Sequence, residues 1–264
     1  MKKIILLCAI IFSSLFVLAF SHLTYQDKLQ TIATEANQGN SGEITSNTTA
    51  QNNDNGPSVV STTPDSLIDS WSDQKEEDPV LITFFGSESL TYELNTEASW
   101  PNIVTENLQQ YLSPALLETT IIDAGADSSL EVLESDVLDD VIASQPDILV
   151  FEPFMLNNNG ELLINDSLES LENMLSIIES ELENTDIIII PPNPLYKAVN
   201  YPTQVEELQQ YVEENGYTYV NHWVAWPESE DEVLQEYLED GLPNEEGHQL
   251  WATYMTDFLT SEQE

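Results

Sequence analysis

From residue 80 onward the apolar positions of the chain switch between two periods. Val80–Phe85, Thr119–Asp123, Asp147–Phe151, Ile187–Ile190 and Tyr217–Asn221 are short runs rich in apolar and β-branched residues. Gly86, Ala124-Gly125, Glu152-Pro153 and Pro191-Pro192 stop the first four. Length and punctuation mark all five as strands. Between them the apolar residues recur at helical spacing. Trp100–Leu112 reads as a helix with Pro101 in its first turn, where the missing amide hydrogen costs nothing. Leu130–Ala143 reads as a second helix. Residues 166–183 are the clearest case, with Leu168, Leu171, Met174, Leu175, Ile178 and Leu182 on one face. Asp166 and Glu169 are placed as a capping box there. Val205–Glu214, 231–239 and 246–259 complete the helices, and Asn215-Gly216 ends the first of these.

Five strands alternating with helices, the central strands apolar throughout, predict an α/β fold with a parallel sheet covered on both faces. In such open sheets functional groups gather beyond the carboxyl ends of the strands. The segments that matter are therefore 86–91, 123–129, 152–160, 191–201 and 222–228.

The first 78 residues have other patterns. Lys2 and Lys3 precede an apolar run from Ile4 to Phe20, the form of a secretory signal. The run is also nearly long enough to act as an uncleaved anchor. Residues 1–25 are thus expected to be a signal peptide or N-terminal membrane anchor. Residues 26–78, dominated by Ser, Thr, Asn, Gln and acids, are expected to be a disordered polar tether. Leu67, Ile68 and Trp71 suggest a short helical turn near its end. Residues 79–264 form the folded domain. On this organisation the domain works outside the cytoplasm, secreted or tethered to the outer face of the membrane.

Charge narrows the partners. Asp and Glu number 48 against 5 Lys and no Arg, a formal net charge of -43. Nucleic acid and anionic membrane surfaces both require cationic neutralisation, which this chain lacks. Membrane contact is expected only through the N-terminal segment. Cys8 is the single cysteine, so the domain holds no disulfide and no thiolate metal site. Glu152, Asp123, Asp127 and Asp240 are acids near strand ends. In so acidic a chain such neighbours arise by chance, and neither a metal nor a cofactor is expected.

Three blocks at strand ends and a fourth that opens the last helix carry candidate chemistry. They are Gly86-Ser87-Glu88-Ser89-Leu90-Thr91, Asp123-Ala124-Gly125, Asn157-Asn158-Asn159-Gly160, and Asp240-Gly241-Leu242-Pro243-Asn244 with Gly247-His248. In this order they resemble the SGNH/GDSL hydrolases, over about residues 79–264. The run also resembles a divergent exported branch of that family, through Phe151–Phe154, Asn157–Gly160 and His222–Pro227. The resemblance implies a flavodoxin-like three-layer α/β/α sandwich and a serine ester hydrolase. It implies Ser87 or Ser89 as nucleophile, with Ser87 favoured by the branch. Gly125 and Asn157 would supply oxyanion donors. The family's last block carries Asp and His; here Asp240 is present, but the His expected before Pro243 is absent. His248 or His222 is left as the base. The substrate would be a small-molecule or carbohydrate ester, such as an O-acetylated envelope carbohydrate. The alternative is a catalytically inactive glycan-binding module. Each residue also has an ordinary use: a serine caps a turn, an asparagine shapes one, and a histidine bonds a loop. Tyr196, Tyr201, Trp223 and Trp226 cluster in the fourth and fifth strand-end segments, where aromatic faces suit sugar or acyl contact. Lys197 lies among them.

Overall fold

The computed structural model describes residues 66–75 and 78–261. The expected signal or anchor and most of the expected tether lie outside these residues.

Among the described residues there are seven strands: β1 (Val80–Gly86), β2 (Leu117–Asp123), β3 (Ile148–Phe151), β4 (Asp186–Ile189), β5 (Thr218–Tyr219), β6 (Leu238–Glu239) and β7 (Leu242–Pro243). The first five form one parallel sheet in the order β2-β1-β3-β4-β5. The helices are α1 (Leu67–Lys75), α2 (Trp100–Leu112), α3 (Ser129–Glu134), α4 (Val137–Ala143), α5 (Met155–Asn158), α6 (Ile164–Glu181), α7 (Tyr201–Glu214) and α8 (Glu245–Thr260).

Alternation along the strands builds two cores. Val80, Ile82 and Phe84 of β1, Ile148 and Val150 of β3, and Ile188 of β4 point to one face. There they meet Ile68 of α1, Trp100, Val104 and Leu108 of α2, and Trp251, Met255 and Leu259 of α8. Phe85, Leu149, Phe151 and Ile189 point to the other face, against Val132, Val141, Leu171, Leu175, Ile178, Val205 and Leu208. The result is a three-layer α/β/α sandwich, as the strand and helix periods predict. The strand order reverses between β1 and β3: the chain leaves β1 for β2 on one side, then returns to the other. That reversal opens a crevice at the carboxyl ends of β1 and β3.

Four local expectations differ from the structure. Leu67–Lys75 is a helix of the domain, not the end of a tether. Ile68 is fully buried, the Trp71 indole donates to Asp186, and Lys75 pairs with Asp147 at 2.7 Å. The helix expected over 130–143 breaks at Ser135, whose backbone is extended and whose hydroxyl bonds the Val132 carbonyl. Helix α6 begins at Ile164, so Asp166 lies inside its first turn and makes no side-chain cap. Segment 231–239 is a 3-10 helix (Glu232–Tyr237) running into β6.

Candidate functional site

Strand β1 ends against β3 because residue 86 is glycine. A Cβ there would lie 2.7 Å from the Glu152 Cβ. This close approach carries Ser87, the next residue, to the side chain of Glu152, which follows β3. The Ser87 hydroxyl donates to Glu152 Oε2 at 2.5 Å, and the Ser87 amide donates to the same oxygen at 2.9 Å. The other oxygen, Oε1, accepts from the Phe154 amide at 2.8 Å. Phe154 holds φ 61 and ψ 22, a left-handed backbone that is rare for a bulky residue. That strained turn aims its amide at the carboxylate. Ser87 and Glu152 are both 0% exposed. Burial pushes the Glu152 carboxyl above its usual range, against the lowering effect of these three hydrogen bonds, and nearby Asp123 adds to the rise.

Ser89 has a different set of partners. Its hydroxyl donates to Asn193 Oδ1 at 3.0 Å, and Asn193 Nδ2 donates to the Gly241 carbonyl at 2.9 Å. Asn193 thus ties the loop after β1 to the β6–β7 hairpin. Asp240 and Gly241 are the two central residues of that hairpin, at φ 51 and φ 89. Two left-handed residues in an Asp-Gly loop make a type I′ turn. The segment that resembles the family's last block is therefore a hairpin turn followed by a helix cap. Asp240 is exposed at its tip, and Asn244 Oδ1 accepts from the Gly247 amide to start α8.

The two expected oxyanion donors are already engaged. The Gly125 amide donates to Asp123 Oδ1 at 2.7 Å. Asn157 Nδ2 donates to the carbonyls of Gly125 and Asp127 at 3.0 and 2.8 Å. Asn158, one residue on, pins α3 through the Ser129 amide and hydroxyl.

Neither histidine is hydrogen-bonded to either serine. His222 contacts the Pro191 carbonyl through Nε2 at 2.7 Å and accepts the Trp226 indole N–H on Nδ1 at 3.0 Å. Its ring stacks on Trp251 with centroids 4.0 Å apart. Burial pulls its pKa down to about 3. His248 Nδ1 accepts from the Trp100 amide at 3.2 Å, and burial lowers its pKa to about 4. Both rings are buried neutral groups, His222 stacked on Trp251 and His248 set against Tyr92.

Two clefts flank the hairpin. One, of about 270 Å³, runs between the loop after β1 and the hairpin, lined by Glu88, Thr91, Tyr92, Leu94, Leu242 and Pro243. The other, of about 510 Å³, is lined by Asn159, Leu195, Tyr196, Gln235, Asp240 and Gly241. Of the four aromatics singled out above, Tyr196 lines a cleft, with Lys197 Nζ 4.6 Å from its ring centroid. Tyr201 and Trp226 are buried, and Trp223 packs on Tyr201. Among the described residues no group of three or more His, Cys, Asp or Glu is placed to hold a metal.

No family model and no curated protein sequence matches the chain. Solved structures do. A protein assigned to the lipolytic G-D-S-L family from Desulfitobacterium hafniense DCB-2 superposes with a TM-score of 0.56 at 18% identity, over 68% of this chain and 99% of that one. A lipase/acylhydrolase from Enterococcus faecalis gives 0.52 at 15% identity, over 70% of this chain and 99% of that one. A two-domain esterase active on acetylated mannans gives 0.55 at 18% identity; 74% of this chain matches 52% of that one. The fold is that of the SGNH/GDSL hydrolases. At these identities the likeness carries the fold alone.

Within that SGNH-like fold, two site residues lay outside the expectations above. In sequence Glu152 is one strand-end acid among several and part of the Phe151–Phe154 segment, with no catalytic role assigned to it. Its signal was position: an acid directly after an uninterrupted apolar strand, at a reversal of strand order. Asn193 had no signal beyond lying in a strand-end segment.

Proposed function

We propose that this chain is a serine ester hydrolase of SGNH type, acting outside the cytoplasm on a short acyl ester such as an O-acetyl group on carbohydrate. One observation carries the reading. Ser87 stands at the carboxyl end of β1, at the strand-order reversal, with its hydroxyl delivered to a buried carboxylate. A serine hydroxyl becomes a useful nucleophile when a base accepts its proton. Two further observations support the reading. One solved neighbour is an esterase active on acetylated mannans. The Lys2-Lys3 and Ile4–Phe20 pattern is that of an export signal. Ser87 has no exposed surface, so turnover requires the Glu88–Leu90 turn or the β6–β7 hairpin to move and open the cleft between them.

The test is hydrolysis of 4-nitrophenyl acetate and of an acetylated oligosaccharide by the protein and by its Ser87→Ala and Ser89→Ala variants. Turnover that Ser87→Ala abolishes and Ser89→Ala leaves largely in place is the expected result. Equal turnover by all three overturns the assignment.

A second reading has its own observation. Gly125 and Asn157 are bonded within the protein, and so are unavailable to a developing oxyanion as they stand. This favours a catalytically silent module that binds glycan in the cleft beside Tyr196. Glycan binding weakened by Tyr196→Ala, with no turnover above the Ser87→Ala background, would establish it.

A further inference from the structure

The structure contains a buried carboxylate that its packing alone does not explain. Glu152 is fully buried, yet among the described residues no cation pairs with it. The single ion pair there joins Lys75 to Asp147, at the opposite ends of the strands. An isolated carboxylate in the interior is costly unless it is hydrogen-bonded. Glu152 meets that demand with three donors, and one is the Ser87 hydroxyl. The Gly86 contact and the left-handed Phe154 are both needed to assemble this arrangement. Strain and burial concentrated on one acid at a strand-order reversal mark a functional group rather than a filler.

Resting on the esterase reading, we infer that Glu152, rather than a histidine, is the general base that activates Ser87. In the first step Ser87 Oγ bonds to the ester carbonyl carbon while its proton passes to Glu152 Oε2. The tetrahedral intermediate then breaks its bond to the alkoxy oxygen, which leaves as the alcohol with the proton from Glu152. Water attacks the resulting acyl-serine, again losing a proton to Glu152. Collapse of that second intermediate returns the proton to Ser87 Oγ and releases the carboxylic acid. Every proton taken up is given back, and no other reactant is needed.

The groups that face Glu152 fit this role. Asp123, the last residue of β2, opposes a second negative charge nearby, and the buried Tyr201 of α7 stays a neutral phenol, its own pKa raised by burial and by Glu152. Burial first, and the Asp123 charge second, keep the Glu152 carboxyl more basic than a solvent-exposed glutamate. The two histidines, bonded to Pro191, Trp226 and Trp100, take no part.

The full-length protein, its Ser87→Ala, Glu152→Gln, Glu152→Asp and His248→Gln variants are compared in kcat/KM for 4-nitrophenyl acetate from pH 4 to 9. Labelling of Ser87 by a fluorophosphonate is followed in parallel. General-base catalysis is typically worth about 10²–10⁴-fold. Glu152→Gln should therefore lose at least about 100-fold, to the Ser87→Ala background. Glu152→Asp should keep part of the activity, and His248→Gln most of it. The wild-type profile should rise through a single limb above pH 4.5 that Glu152→Gln lacks. Ser87-dependent turnover that survives Glu152→Gln but not His248→Gln overturns the inference and leaves the esterase reading standing. So does a wild-type limb that His248→Gln removes, which decides the matter if Glu152→Gln fails to fold. Absence of both turnover and Ser87 labelling in the wild type overturns both readings.

Discussion

His222 and His248 show how a side chain with catalytic chemistry becomes part of the packing. Each ring accepts a hydrogen bond from a tryptophan on Nδ1, indole N–H for His222 and backbone amide for His248. A proton added at Nδ1 would face that donor and lose the bond. Burial, which disfavours the charged ring, holds both folded pKa values below the ordinary 6.5, at about 3 and about 4. The unfolded chain binds the extra protons first, so stability is fully present above pH 6.5 and is lost as pH falls toward the folded values. Each histidine contributes a slope of up to about 1.4 kcal/mol per pH unit. Glu152 acts in the opposite sense. Its folded pKa is raised, so its contribution is fully present below the unfolded value of 4.5 and is lost as pH rises through the folded one. It offsets part of one histidine's effect. Urea unfolding at pH 7, 6 and 5 should show falling stability, with a shallower slope in His248→Gln. A flat profile would mean that the rings are not held neutral.

Among the elements, helix α1 and the β6–β7 hairpin sit at opposite ends of the strands, α1 bonded to Asp147 and Asp186 and the hairpin to Asn193. Helix α1 closes one core: Ile68 is 0% exposed and Lys75 ties its end to Asp147 below β3. Replacing a buried isoleucine by alanine loses transfer energy and leaves a cavity, so Ile68→Ala should cost about 3 kcal/mol in urea or thermal unfolding. A chain begun at Pro79 should be less stable than one begun at Pro57 by at least that much. In sequence this helix was hard to separate from the tether. Leu67, Ile68 and Trp71 sit in a polar surround, and nine residues give too few turns for a periodic signal. The hairpin misled for a different reason. Leu234, Tyr237 and Leu238 fall at helical spacing, yet the two left-handed residues that follow reverse the chain. Asp240-Gly241 is a turn signal of the strongest short-range kind, and the resemblance to a catalytic block competed with it. The latch through Asn193 depends on contacts between residues 89, 193 and 241, which no local pattern encodes. Asn193→Ala should free the hairpin and speed fluorophosphonate labelling of Ser87, while an unchanged rate would show that the hairpin does not cover the serine.

At the scale of the whole molecule, the layer order followed from period alone. Val80, Ile82 and Phe84 against Phe85, and Ile148 and Val150 against Leu149 and Phe151, assign the two faces of the sheet without any knowledge of partners. The strand ends were legible for the same reason, and with them the neighbourhood of Ser87. The pairing across strands was not, because Glu152 reaches Ser87 only through a contact 65 positions apart. Charge is the property left to test at this scale. The chain carries a formal charge of -43, and among the described residues one ion pair offsets it. Most acids among the described residues lie on the surface, where repulsion acts over a screening length of about 10 Å at 0.1 M salt and about 3 Å at 1 M. The compact state feels this repulsion more than the expanded chain does. The melting temperature should therefore rise by several degrees between about 0.01 M and 1 M NaCl at pH 7.5. KCl should match NaCl, since screening depends on ionic strength and not on the cation. A neutral osmolyte at equal osmolality should do less. A melting temperature independent of salt would show that the acidic surface is already relaxed by its spacing and that repulsion does not limit the fold.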